Sequence, residues 1–539
     1  MNNLVPNRID VCRWFAHWNG VALLLLAGIV ARSPGAAGED PFAGLEPRAF
    51  WGHFADFTRI PRQSGNEGPI ARHVLDWAAA HGFDAVKDAA GNVIVRVPAS
   101  AGRDKAPVVI IQGHLDMVCS RDEAAGPFDP AKGNIRVIRV RKQNGQFVEA
   151  NDGEYVKADK TTLGADCGLG CSAMMTLSED RDGKHGPLDL LFTVEEETGL
   201  RGAQKLDTSL IRGRICLNVD ADRDGVLIIG GAGGLTTVIT SSKPRSPIAD
   251  GEVAIKLTMS GLRGGHSGVD IHKGRLNAIK AMGHVLQEAG KHARIRIATI
   301  NGGDAFNAIP READAIVLIP AGEEAAFRAS AEGTWASLRS QYKLAELGPK
   351  LMLGMDRLDP SPPHALTRDD SRSLVALIQA IPSGVLAMSQ KVEGLVETSN
   401  NLGVVRADDR AIKITCNSRS SVAAAYDQAG DMLRSIAELA GAIAETSPAF
   451  PGWDPDPNSA VVSAVSNTYR RLHGASPKLE AIHGGLECGV IASRIPGLDA
   501  VSMGANIQGP HSDQEAVVIA TVAKFYRTLV EALADLSAN

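Results

Sequence analysis

His114 and Asp116 stand two apart in Gln112-Gly-His-Leu-Asp116, directly after the apolar run 107–111. On an extended chain such residues face the same way. An imidazole and a carboxylate there can act as a unit, one ring nitrogen of His114 on a metal and the other held by Asp116. Asp166 lies among glycines in Leu163-Gly-Ala-Asp-Cys-Gly-Leu-Gly170, ahead of a helical pattern. Glu195, Glu196 and Glu197 close the apolar run 188–194, Asp220 closes the run 214–219 with Asp222 close behind, and His511 follows far downstream in Gly509-Pro-His-Ser-Asp513. Singly, each has a plain reading: a surface turn, a helix cap, a solvated loop, a loop histidine. Together they stand at strand ends or open a helix, and in an open α/β sheet those ends converge on one crevice. One histidine, three carboxylates and a distant second histidine suit two Zn2+ ions sharing a bridging carboxylate.

The elements that must position these residues alternate between strand and helix. Ile70, Val74 and Trp77 share one face of a helix over 67–81, and Gly82 stops it. Segments 92–97, 107–111, 188–194 and 214–219 read as strands and 168–179 as a helix, which predicts an α/β sheet with largely parallel members. From 235 to 450 the texture changes. Half-exposed strands over 253–259, 293–300 and 411–416 join amphipathic helices over 275–289 and 423–444, the pattern of an inserted α+β domain. Pro451-Gly-Trp-Asp-Pro-Asp-Pro457 marks its far boundary, and 451–539 returns to α/β, ending in a helix over 515–536. The expected organisation is one α/β domain in two parts, 39–234 and 451–539, interrupted by 235–450.

Composition sets the outer limits. With 539 residues, 44% hydrophobic and 22% charged, the chain is neither collagen-like, coiled-coil nor wholly disordered. A net charge of −6 without a long Lys/Arg run speaks against a nucleic-acid partner, and 4% aromatic residues against a base-stacking platform. Residues 1–38 read as a secretory signal peptide: Arg8 and Arg13, an apolar run over 21–31, then small residues with cleavage near Ala37. That run is shorter than the ~20 residues of a spanning helix, so a cleaved leader is preferred to an uncleaved anchor. The expectation is an exported protein, periplasmic or extracellular, without stable membrane association after cleavage. The cysteines beyond the leader, Cys119, Cys167, Cys171, Cys216, Cys416 and Cys488, mostly neighbour the metal candidates and are expected to pack rather than form a disulfide framework.

Gln112-Gly-His-Leu-Asp-Met-Val118, Leu163-Gly-Ala-Asp166, Thr193-Val-Glu-Glu-Glu-Thr-Gly199, Gly264-Gly-His-Ser-Gly268 and His483-Gly-Gly-Leu-Glu-Cys-Gly489 resemble, in order, the motifs of the aminoacyl-histidine dipeptidases. These are the peptidase D branch of the co-catalytic zinc aminoacylase/carboxypeptidase-like metallopeptidases. The resemblance covers nearly all of the chain after residue 45. It implies a zinc-peptidase-like catalytic domain interrupted by a lid domain, and a homodimer formed through the lid. His114 and Asp220 would hold one ion, Glu197 and His511 the other, with Asp166 between them. Counting back from Gly199 makes Glu196 the general base and leaves Glu195 without a catalytic role. Asp116 would orient His114, His266 would stabilise the oxyanion, and Asn401 and Arg419 would bind the substrate carboxylate. The ions implied are Zn2+, with Mn2+ or Co2+ as alternatives, and the substrate is a small aminoacyl-histidine dipeptide. The chain departs from the family at Cys167, where Asn or Asp is usual. Two other readings stay open: a related amidohydrolase acting on N-acyl amino acids, and an inactive metal- or peptide-binding protein, which the presence of Glu196 disfavours.

Overall fold

The computed structural model describes residues 40–346, 351–408, 410–447 and 450–538; the expected leader over 1–38 lies outside them. By packing, the chain divides into residues 1–40 and residues 41–539. Among the described residues the second unit carries two large sheets, one of five strands and two of two strands.

In the eight-stranded sheet Val109–His114 lies between Leu188–Thr193 and Ile215–Asn218, parallel to both, and Ile215–Asn218 is parallel to Asp499–Ser502. Val93–Val97 and Asp84–Lys87 continue one side antiparallel, while Val226–Gly231 and Lys478–Ile482 complete the other. Every residue of Val109–His114 and of Leu188–Thr193 is buried, as expected where both faces are covered. Successive side chains enter opposite cores. Ile111, Val93 and Val95 pack with Phe50, Phe54 and Val74, whereas Ile110 and Ile94 pack with Leu206 and Ile491 on the other face. Register places His114 opposite Thr193 and Gln112 opposite Asn218. The residues just beyond these strands, Glu195 to Glu197 and Asp220, therefore leave the sheet at the same edge as His114.

The nine-stranded sheet is antiparallel throughout and takes all its strands from between Gly233–Ser241 and Ile443–Ser447. Burial alternates along Gly233–Ser241 and Glu252–Ser260, because helices such as Ala278–Ala289 and Ala423–Leu439 cover one face. Two helix ends differ most from the sequence reading. The helix expected to reach 444 stops at Leu439, where Gly441 at φ +63° and bonds from the Gly441 and Ala442 amides back to Glu438 and Ala437 close it. Ile443–Ser447 then pairs with Gly233–Ser241. The last helix begins at Ile519 rather than 515, because Ala516–Val518 is a strand.

That strand belongs to a third sheet absent from the sequence reading, formed by Val137–Gln143, Gln146–Glu149, Tyr155–Ala158, Ile507–Gln508 and Ala516–Val518. It ties the hairpin that carries His511 to the segment leading into Asp166. All six cysteines named above are unpaired thiols. Among the described residues no helix is long and apolar enough to cross a membrane.

Candidate metal centre

The strand-end residues meet. His114 Nε2 lies 2.9 Å from Asp166 Oδ1 and 3.2 Å from Asp220 Oδ1. His511 Nε2 lies 3.1 Å from Asp166 Oδ2 and 3.0 Å from Glu197 Oε1. Asp166 thus turns one oxygen to each histidine. Asp166 and Cys167 have non-helical backbone at the start of Ala165–Glu179. His511 holds a left-handed φ of +64°, unusual for a residue with a side chain. His114 Nδ1 is 3.1 Å from the Asp116 carbonyl and 3.4 Å from Asp116 Oδ1, so Nε2 is the nitrogen facing the crevice. The Asp116 carboxylate also accepts from Ser64 Oγ at 2.8 Å and from the amides of Glu196 and Glu197 at 3.0 and 3.1 Å. The one residue thus contacts both His114 and the backbone of the glutamate pair.

These donors fit divalent cations. A single ring N–H on His114 cannot satisfy two carboxylates, and Asp220 Oδ1 and Glu197 Oε1 are buried beside ring nitrogens without a hydrogen bond. Ligand atoms of His114, Glu196 and Glu197, and of Asp166, Glu197 and His511, gather within 4.8 Å in each group. Burial alone would lower the His114 imidazole, but Asp220, Asp116 and Asp166 outweigh it and hold it well above its ordinary range. The carboxylates of Asp166 and Glu197 against its ring push His511 up to about 11. Burial, reinforced by Asp166, pushes Asp220 up to about 7. Burial, with Asp220, Glu487 and Glu197 close by, raises Glu196 well above the carboxylate range although His114 opposes it. The cluster carries more carboxylate than its own histidines neutralise, the imbalance a bound dication offsets. The Cys167 thiol also lies within the group formed with His114 and Asp220, and donates to the Val219 carbonyl at 3.5 Å. Glu195 turns away to pair with Arg201 at 3.0 Å.

His266, Asn401 and Arg419 form a separate group on the nine-stranded sheet and its loops. His266 Nδ1 accepts from the amides of Gly268 and Val269 at 3.1 and 3.2 Å, which leaves the proton on Nε2; burial and the Arg419 charge lower its pKa. Arg419 is buried, its Nε donating to Asn417 Oδ1 at 3.1 Å, and burial pulls its pKa to about 10. Asn401 differs from the sequence expectation. Its Nδ2 donates to the Phe306 and Ala308 carbonyls at 3.1 and 2.8 Å, leaving a buried, unpartnered Oδ1. An acceptor cannot bind a carboxylate; it suits an N–H. His483, whose Nε2 is 2.7 Å from Ser399 Oγ, joins this group and is held down to about 3 by burial and Arg419. Among the described residues no hydrogen bond or ion pair links His266 to the metal donors.

Three buried charged residues escaped the sequence reading of the site. Glu487 accepts from Thr193 Oγ1 at 2.6 Å and Gln112 Nε2 at 2.5 Å, and burial pushes it up to about 7. Its place in the His483-Gly-Gly-Leu-Glu487 motif was the available signal. Arg62 and Glu515 bind only backbone near the site, and a lone Arg or Glu in a loop carries no such signal.

The sequence profile of the peptidase dimerisation domain matches residues 257–341. Over 496 residues the chain is 36% identical to the cytosol non-specific dipeptidase of Escherichia coli strain K12, a match covering 92% of this chain and 99% of that one. It is similar to the crystal structure of aminoacylhistidine dipeptidase from Vibrio alginolyticus, with a TM-score of 0.80 and 34% identity over 92% of this chain and 97% of that one. A Staphylococcus aureus tripeptidase, with a TM-score of 0.51 and 17% identity over 92% of this chain and 100% of that one, shares the fold. The expectation of an exported, periplasmic or extracellular protein is corrected by these findings. The Escherichia coli relative is named for the cytosol, and the basic-then-apolar composition of 1–38, which alone suggested export, lies outside the described residues.

Proposed function

The chain belongs to the M20 metallopeptidase family, and from that premise we propose that it is a two-metal dipeptidase acting on aminoacyl-histidine dipeptides. The observation that carries the reading is the placement of Asp166 between His114 and His511, one oxygen toward each. His114 and Asp220 would hold one ion, His511 and Glu197 the other, and Asp166 both. Zn2+ suits the nitrogen and oxygen donors, with Mn2+ or Co2+ as substitutes. Bound there, a pair of divalent ions supplies Lewis acidity that polarises the scissile carbonyl and makes a water acidic enough to ionise near neutral pH.

The chain's own residues do the rest. Glu196, grouped with His114 and Glu197 and carrying a raised pKa, takes the proton of the attacking water and returns it to the departing amine. Arg419, buried and facing no carboxylate of its own among the described residues, takes the substrate carboxylate in its planar fork. Asn401 Oδ1 accepts the N–H of the bound peptide. His266, with its proton on Nε2, donates to the developing oxyanion once the lid closes or a second protomer presents it. The dimerisation-domain match at 257–341 supports a homodimer through that region.

The test is a substrate panel on metal-stripped protein reloaded with Zn2+, Mn2+ or Co2+. Xaa-His dipeptides, other dipeptides and N-acyl amino acids are compared by kcat/KM. Metal-dependent hydrolysis with Xaa-His preferred is expected. Preference for N-acyl amino acids would replace the dipeptidase reading with a deacylase, and an even response across dipeptides would remove the histidine specificity.

A further inference from the structure

Two charged side chains behind the crevice hold the loop that carries Asp166. Arg62 is wholly buried, and its guanidinium donates to the carbonyls of Phe57 at 3.2 Å, Leu115 at 3.1 Å, Asp116 at 2.9 Å and also Gly164. Leu115 and Asp116 directly follow His114, and Gly164 lies just ahead of Asp166. Glu515, 1% exposed, grips the same turn from its other side. Its Oε2 accepts the amides of Leu163 and Gly164 at 2.7 and 3.0 Å, and its Oε1 those of Ala165 and Asp166 at 2.7 and 3.5 Å.

The glycines of this stretch make the room. Gly164 has φ +73°, and a Cβ there would lie 2.2 Å from Arg62 Nη2; one on Gly168 would lie 2.9 Å from the same atom. A buried guanidinium and a buried carboxylate are costly to desolvate, and as plain core staples they would be weak choices. Apart from Phe57, every backbone group they bind belongs to the two segments that carry His114 and Asp166.

We propose that Arg62 and Glu515 are positioning residues that set the metal affinity of the centre by fixing the backbone after His114 and the turn 163–166 that leads into Asp166. This rests on the two-metal reading above. With the turn held, Asp166 keeps one oxygen toward each histidine before any ion arrives. Without the clamp, that ordering must accompany binding, and affinity falls. Loss of outer-shell partners of this kind typically lowers metal affinity ~10–100-fold.

Two variants separate this role from simple support of the fold. Arg62→Lys keeps the charge but loses the planar fork. Glu515→Gln keeps the shape but turns an amide N–H toward two of the backbone N–H groups it now accepts. For each full-length protein, zinc stoichiometry and affinity are measured by chelator competition, alongside the unfolding midpoint of the metal-stripped form. Both variants are expected to fold when metal-stripped, to bind zinc roughly 10–100-fold more weakly than wild type, and to gain less midpoint on adding zinc. Wild-type affinity in both variants would overturn the clamp, as would failure of both metal-stripped forms to fold. A wild-type chain that takes up no zinc would instead sink the metal reading, and this proposal with it.

Discussion

Asp166 turns its two carboxylate oxygens to two different histidines, so removing that one side chain disturbs both halves of the centre together. Asp166→Ala is expected to lose both ions, and metal analysis after dialysis that still finds two tightly held ions would contradict the bridge. Glu196 has a different task. Glu196→Ala is expected to keep two ions while turnover falls by at least ~10²-fold, the usual cost of losing a general base; loss of the ions instead would show that Glu196 and Glu197 have been interchanged. Legibility at this scale follows the reach of each side chain. His114, Asp116, Glu197 and Asp220 were readable because they stand at strand ends, and strands show in the sequence. Asn401 was legible only through the family resemblance, and its amide orientation depends on the Phe306 and Ala308 carbonyls, from a segment far off in sequence.

The turn 163–166 is where local backbone and distant side chains must agree. Gly164→Ala would place a methyl group against the Arg62 guanidinium and force a left-handed φ on a residue with a Cβ. The second effect alone costs about 1–2 kcal/mol. A fall of at least that size in unfolding free energy is expected by denaturant titration, and an unchanged midpoint would show that Arg62 yields without cost. The parallel strands that present the site were legible as apolar runs, and three strands of the antiparallel sheet, near 253–259, 293–300 and 411–416, as half-exposed ones. The five-stranded sheet was not. Gln146–Glu149 and Ile507–Gln508 are too short and too polar to carry a period; each pairs within its own hairpin, and the ladder between Tyr155–Ala158 and Ala516–Val518 joins the two hairpins from distant parts of the chain.

At the scale of the whole molecule the separation between His266 and the metal donors is the feature to test. His266→Ala is expected to lower kcat ~10²–10³-fold, the usual cost of one oxyanion donor, with metal content unchanged. If the donor comes from a second protomer of a two-fold dimer, mixing His266→Ala with Glu196→Ala restores intact sites. Subunit exchange at equal amounts would then recover roughly a quarter of wild-type activity. Recovery of none would place His266 in its own chain's closing lid. Met352–Leu358 forms an edge of the nine-stranded sheet, with Met352 60% exposed, and is a candidate for pairing across that axis. The chain's order of synthesis adds a last consequence. His511 follows Asp166 by 345 residues, and Glu515 comes after His511. At a ribosome's pace of ~5–20 residues per second, roughly 20 to 70 s pass between the making of Asp166 and the arrival of its second histidine. A nascent chain that has not yet reached residue 515 therefore holds only part of the proposed metal donors, its turn ungripped by Glu515, and is expected to gain hydrolytic competence only after that residue is made.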